Sequence, residues 1–140
     1  MINMAIKSCL VCSGVFLLLG MIAGVVKYRQ MMTDPSHKAS MYINYAHVAA
    51  FLYSFAALVM AELLKYSPYS VTAQMLMAGI PLFCFVLAIG QYFRLGLWSK
   101  IDNQFKERNF NTTWGMYLLI VGEIGGVSLI FWGFLQTQVL

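Results

Sequence analysis

One histidine, one glutamate and a handful of tyrosines could do chemistry in this chain, because each falls inside an apolar run where a polar group is costly. His47 is the sharpest of them. A neutral imidazole in a low-dielectric setting is a good ligand for a metal or for haem iron. His37, the other histidine, falls in a polar connection, so a bis-histidine haem within one chain is excluded. A single ligand leaves iron five-coordinate, with one position open to a substrate. Zinc is disfavoured, because no second or third ligand stands near His47 at helical spacing. The bland alternative is an imidazole that hydrogen-bonds between two helices.

Depth sorts the remaining polar residues. His47 lies about six residues into its run, on the order of 9 Å at 1.5 Å per helical residue. Asn44 sits one turn away. Tyr92 closes the next apolar run and Tyr117 opens the last, so these four fall at one level and predict a pocket there. Tyr53 is deeper, six positions from His47 and therefore turned about 120° from it around a helix. Glu123 falls near the middle of the last run with no lysine or arginine at its depth. A neutral carboxylic acid hydrogen-bonded to another helix is its most economical state, and the tyrosine hydroxyls are expected to bond across helices likewise. A proton relay through Glu123 would want further acidic or histidine partners along the path, and the spans offer none. Cys9 and Cys12 form a CxxC on one helical face, read as small packing residues before a redox pair. No CxxCH exists, which excludes covalent c-type haem.

The elements that must position these residues follow from composition. Of 140 residues, 61% are hydrophobic and only 10% are charged, too few polar groups to cover a soluble domain. Four apolar stretches, 8–26, 41–64, 71–93 and 113–135, are each long enough to cross roughly 30 Å of hydrocarbon as a helix. They lack the period-two alternation of a membrane β-barrel. The expected fold is an all-α, up-down-up-down bundle of four transmembrane helices in a single domain. Asp34-Pro35-Ser36-His37 and Tyr66-Ser67-Pro68-Tyr69-Ser70 mark turns. Gly20 and Gly24 form a GxxxG, and Gly122, Gly125, Gly126 and Gly133 form a second small-residue seam, both suited to close helix contact. Pro81 is expected to kink the third helix or leave a carbonyl unpaired.

Charge sets orientation. Lys7 and Lys65 lie at the N-terminus and in the second connection. The other seven basic residues, Lys27, Arg29, Lys38, Arg94, Lys100, Lys106 and Arg108, border the first and third connections. The positive-inside bias puts those two connections in the cytoplasm and both termini outside. The net charge of +4 is then a topology signal and an attraction to anionic lipid, with no basic–aromatic face for nucleic acid. The first run is longer than a signal-peptide core and lacks a small-x-small cleavage site, so it is read as a retained helix.

Tyr45-Ala46-His47 in the second run and Gly90-Gln91-Tyr92-Phe93 ending the third resemble the bacterial styrene oxide isomerases. The spacing between the two motifs matches that family without a gap, and the likeness in topology spans residues 8–135 with few identities. The resemblance implies a four-span enzyme of the bacterial inner membrane that binds haem b through His47; Asn44 and Tyr117, at the same level as His47, are expected beside the cofactor. It implies that Tyr92 helps form the substrate pocket and that the assembly is a homotrimer. The reaction implied is Lewis-acid isomerisation of a small apolar epoxide to a carbonyl compound. The family carries an asparagine where this chain has Tyr53, a departure at the residue that orients the epoxide; if the reaction carries over, Tyr53 would take the positioning or hydrogen-bonding task. Two other classes compete: a non-enzymatic small subunit or binding module of a larger complex, and a proton-coupled carrier using Glu123.

Overall fold

The computed structural model describes residues 2–99, 101, 103–106 and 108–140, apart from the side chain of residue 111. Four long helices account for most of them: α1 (Met4–Thr33), α2 (Met41–Leu64), α3 (Val71–Trp98) and α4 (Met116–Gln138). A single π-helical turn, Asn111–Gly115, leads into α4. All four spans are long and apolar enough to cross a membrane, which makes this a multi-pass membrane protein with the expected antiparallel bundle. Lys100, one of the seven basic residues that orient the chain, lies outside the described residues.

Three helices extend past the apolar runs that announce them. The 30 residues of α1 are about 45 Å long, enough to carry a helix through the headgroups as well as the hydrocarbon. Its start is fixed by Asn3, whose side-chain oxygen accepts the Ile6 N–H at 3.1 Å. Its end is fixed by Asp34, whose backbone turns extended ahead of Pro35. Between them Lys27 to Gln30 stay helical, because polarity does not end a helix when no breaker intervenes. α3 likewise runs on to Trp98, five residues beyond the apolar stretch.

Small residues set how the helices approach. Ala46, Ala50, Ala57 and Ala61 form one fully buried stripe along α2, spaced to share a face. α1 lies along one flank of α2, and α3 packs against α2, α1 and α4. Among the described residues α1 and α4 do not pack together, so α4 leans on α3 and on the edge of α2.

α3 continues as a helix through Pro81. A proline there deprives the Met77 carbonyl of its intrahelical donor. α4 covers this place with Gly126, where a Cβ would stand 2.7 Å from that carbonyl oxygen and closer still to the proline ring. The expected kink-or-carbonyl feature is therefore a docking point for α4. Gly122 is seated on Cys84 and Ile80, and Gly133 on Tyr69, so most of the α4 glycine seam is used inside the chain. Only Gly125 of that seam faces open space. Cys9 is wholly buried in the core and Cys12 half-buried beside it, both as free thiols, in keeping with a packing role.

Two buried polar side chains pin the bundle. Ser54 donates to the Ser13 carbonyl at 2.8 Å. Gln74 accepts from Asn3 at 2.7 Å and donates to the Tyr69 carbonyl at 2.9 Å. Both are satisfied, so both are structural.

Candidate functional site

The residues that sequence reasoning groups at one level separate around α2. His47 faces α1. Its Nδ1 lies 2.8 Å from the carbonyl oxygen of Gly20. A carbonyl can only accept, so Nδ1 carries the proton and the Nε2 lone pair is left free in the neutral ring. Nε2 has no hydrogen-bond partner among the described residues. The ring rests on Gly24, where a Cβ would meet its Cε1 at 3.0 Å, and Phe51 occupies the matching position on Gly20. The two rings meet edge to face with centroids 5.0 Å apart. The GxxxG of α1 is thus a double seat for two rings of α2 one turn apart, and not a backbone-to-backbone contact.

Asn44 belongs to the same face. Its side-chain oxygen accepts from Lys27 Nζ at 2.7 Å. Lys27 and Asn44 stand one turn from Gly24 and His47, in the direction of the first connection. The role of Lys27 goes beyond what the spans alone suggest. Its one-turn spacing from Gly24 was the available signal.

Tyr53 and Tyr92 face the other way. Tyr53 stacks on Phe85 of α3 with centroids 4.1 Å apart and planes 12° from parallel. Tyr92 meets Tyr45 edge to face at 5.9 Å. Both line a cavity of about 370 Å³ between α2, α3, α4 and the third connection. Glu123 of α4 and Gln91 of α3 reach the same cavity, Phe105 and Gln104 border it from the connection, and Leu119 forms part of an apolar wall. The connection is tied down at that point by the Gln104 N–H, which donates to the Tyr42 hydroxyl at 2.6 Å.

The expected cross-helix hydrogen bonds are not made here. Among the described residues, the hydroxyls of Tyr53 and Tyr92 and the carboxyl of Glu123 have no hydrogen-bond partner, because all three open into the cavity. Glu123, read from sequence as glue between helices, is a lining group of the cavity. Comparison of the chain with protein-family models, curated proteins and solved structures finds no match.

Tyr117 does not join either place. It is 61% exposed on the outer side of α4, its ring tilted against Trp114 at 6.2 Å. That pairing suits an interfacial anchor. Tyr117 and Glu123 stand six positions apart on α4, about 120° around the helix, so Tyr117 faces outward where Glu123 faces the cavity. No group of three or more metal-ligating side chains exists among the described residues, so His47 is a lone imidazole.

Proposed function

We propose that this protein is a haem b-binding membrane protein with His47 as the single axial ligand. One observation carries the reading: the Nδ1–H of His47 is held by the Gly20 carbonyl, which presents Nε2 as a bare lone pair. Metal-ligating histidines are held in this way, with the distal ring nitrogen donating to a carbonyl or carboxylate that fixes tautomer and ring plane. The chemistry of the donor set fits the group. His47 would hold the iron. Lys27, steadied by Asn44, would pair with a propionate near the headgroups. When bound, haem with one protein ligand supplies a Lewis-acidic iron with an open position.

The distribution of lysine and arginine supports a cytoplasmic position for the first and third connections, and the resemblance supports a bacterial inner membrane. The epoxide-to-carbonyl isomerisation implied by the resemblance draws on Tyr92 and Tyr53. Within one chain those two line the cavity on the α3–α4 side of α2, away from the α1 face that holds His47. They act beside the cofactor only if a neighbouring copy brings its cavity there, which is the part a homotrimer would play. Ligation by His47 is therefore the portion of the reading that one chain supports by itself.

The deciding measurement is an absorption spectrum of protein expressed with ample haem and purified in mild detergent. A Soret band is expected that His47→Ala abolishes while leaving the protein monodisperse. A protein without the band, or one whose band survives in His47→Ala, overturns the reading.

A further inference from the structure

The cavity between α2, α3 and α4 has a composition of its own. Glu123 is the one carboxylate among the described residues lining it, and none of those residues is a lysine, arginine or histidine that could neutralise it. The aromatic rings of Tyr53, Tyr92 and Phe105 line it too, with Leu119 and Ile120 supplying apolar wall. Among the described residues the Tyr53 and Tyr92 hydroxyls and the Glu123 carboxyl have no hydrogen-bond partners. Three unpaired polar groups and an apolar wall in about 370 Å³ make a ligand site at the small end of the usual range.

The chemistry of the lining selects the ligand. A carboxylate at membrane depth calls for a cation, and none of the described lining residues is one. Aromatic faces favour the same charge, since the ring quadrupole attracts an ammonium. An anion would meet like charge with no lining cation to offset it, and a neutral molecule could hydrogen-bond the carboxylate but not offset its charge. We propose that this cavity binds a small organic ammonium, its nitrogen on Glu123 and its apolar body against Leu119 and Ile120, with Tyr53 and Tyr92 flanking the charge. Within one chain the site is separate from His47.

The ammonium could belong to a free amine or to a phosphatidylethanolamine headgroup, and the test distinguishes them. The full-length protein in phosphatidylglycerol nanodiscs is titrated with 2-phenylethylamine, 2-phenylethanol and 3-phenylpropionate, with binding read by calorimetry. Saturable binding of the amine is expected, at least about tenfold tighter than the alcohol, with no binding of the acid. Glu123→Gln should weaken the amine at least about tenfold and leave the alcohol unchanged. Leu119→Trp, which fills the cavity while keeping the carboxyl in the chain, should abolish amine binding and covers the case in which Glu123→Gln does not fold. Repeating the titration with phosphatidylethanolamine in the nanodisc separates the sources. Competition identifies the headgroup as an occupant, and unchanged affinity identifies a free amine. Amine binding that is absent in both lipids, that survives both variants, or that is matched by the alcohol overturns the proposal.

Discussion

The imidazole of His47 lies so close to Gly24 that a Cβ at that position would stand 3.0 Å from its Cε1. The glycine is what allows the ring to reach the Gly20 carbonyl on the preceding turn of α1. Side-chain orientation at the proposed ligand thus depends on a residue of another helix.

Gly24→Val should push the ring off that carbonyl. Overpacking of this kind costs about 1–3 kcal/mol, and the β-branched side chain gains nothing in return. A lower unfolding temperature in detergent is expected, together with a smaller ratio of Soret to protein absorbance. Unchanged values for both would show that α1 and α2 can separate at no cost.

Two adjacent glycines of α4 should respond oppositely to alanine. At Gly126 a Cβ would run into the Pro81 ring and the Met77 carbonyl, neither of which can swing aside. Gly126→Ala is expected to destabilise by about 1–3 kcal/mol. At Gly125 nothing lies within 4 Å of the added atom. Gly125→Ala should be neutral or stabilise by up to about 1 kcal/mol through helix propensity. Thermal unfolding of the two variants side by side measures the difference, and equal effects would contradict this register of α4 on α3.

Asn3→Ala removes two bonds at once, the N-cap of α1 and the donor to buried Gln74. The cap is worth about 1 kcal/mol. Leaving the Gln74 oxygen without its donor adds about 1–3 kcal/mol. Asn3→Asp keeps the cap but not the donor, so its unfolding temperature should fall between those of the parent and Asn3→Ala.

Tyr53→Phe and Tyr92→Phe should cost less than about 1 kcal/mol each, the usual worth of a hydrogen bond, because neither hydroxyl makes one among the described residues. Tyr53→Ala should cost about 3–5 kcal/mol through loss of the stack on Phe85. Chemical denaturation in mixed micelles reads these values. A large loss in Tyr53→Phe would mean that its hydroxyl is paired after all.

Legibility in the sequence followed the range of the interaction. The second helix coincides with its apolar run, Met41–Leu64, because polar turn residues bound that run on both sides. α1 and α3 were predicted too short, since apolar length marks where lipid begins and not where helical hydrogen bonding ends. The 120° between His47 and Tyr53 was also readable, as it follows from helical geometry alone. Its consequence was not: level positions of His47, Asn44, Tyr92 and Tyr117 suggested one pocket, and the structure divides them among two faces of α2 and the outside of α4.

By itself, the sequence determined that four helices cross a membrane and that a single histidine sits within the second. Both are properties of consecutive residues, their hydropathy and their length against the bilayer. The tertiary structure alone decided which way each polar side chain turns. A helix in lipid is free to rotate about its axis until something fixes it, and here the fixing contacts pair residues far apart in sequence. Gly24 takes His47, Gly126 takes Pro81 and Gly96 takes Ile43. Those seats turn the imidazole of His47 toward the Gly20 carbonyl and Glu123 toward an aromatic cavity, and no periodicity within either helix contains that information.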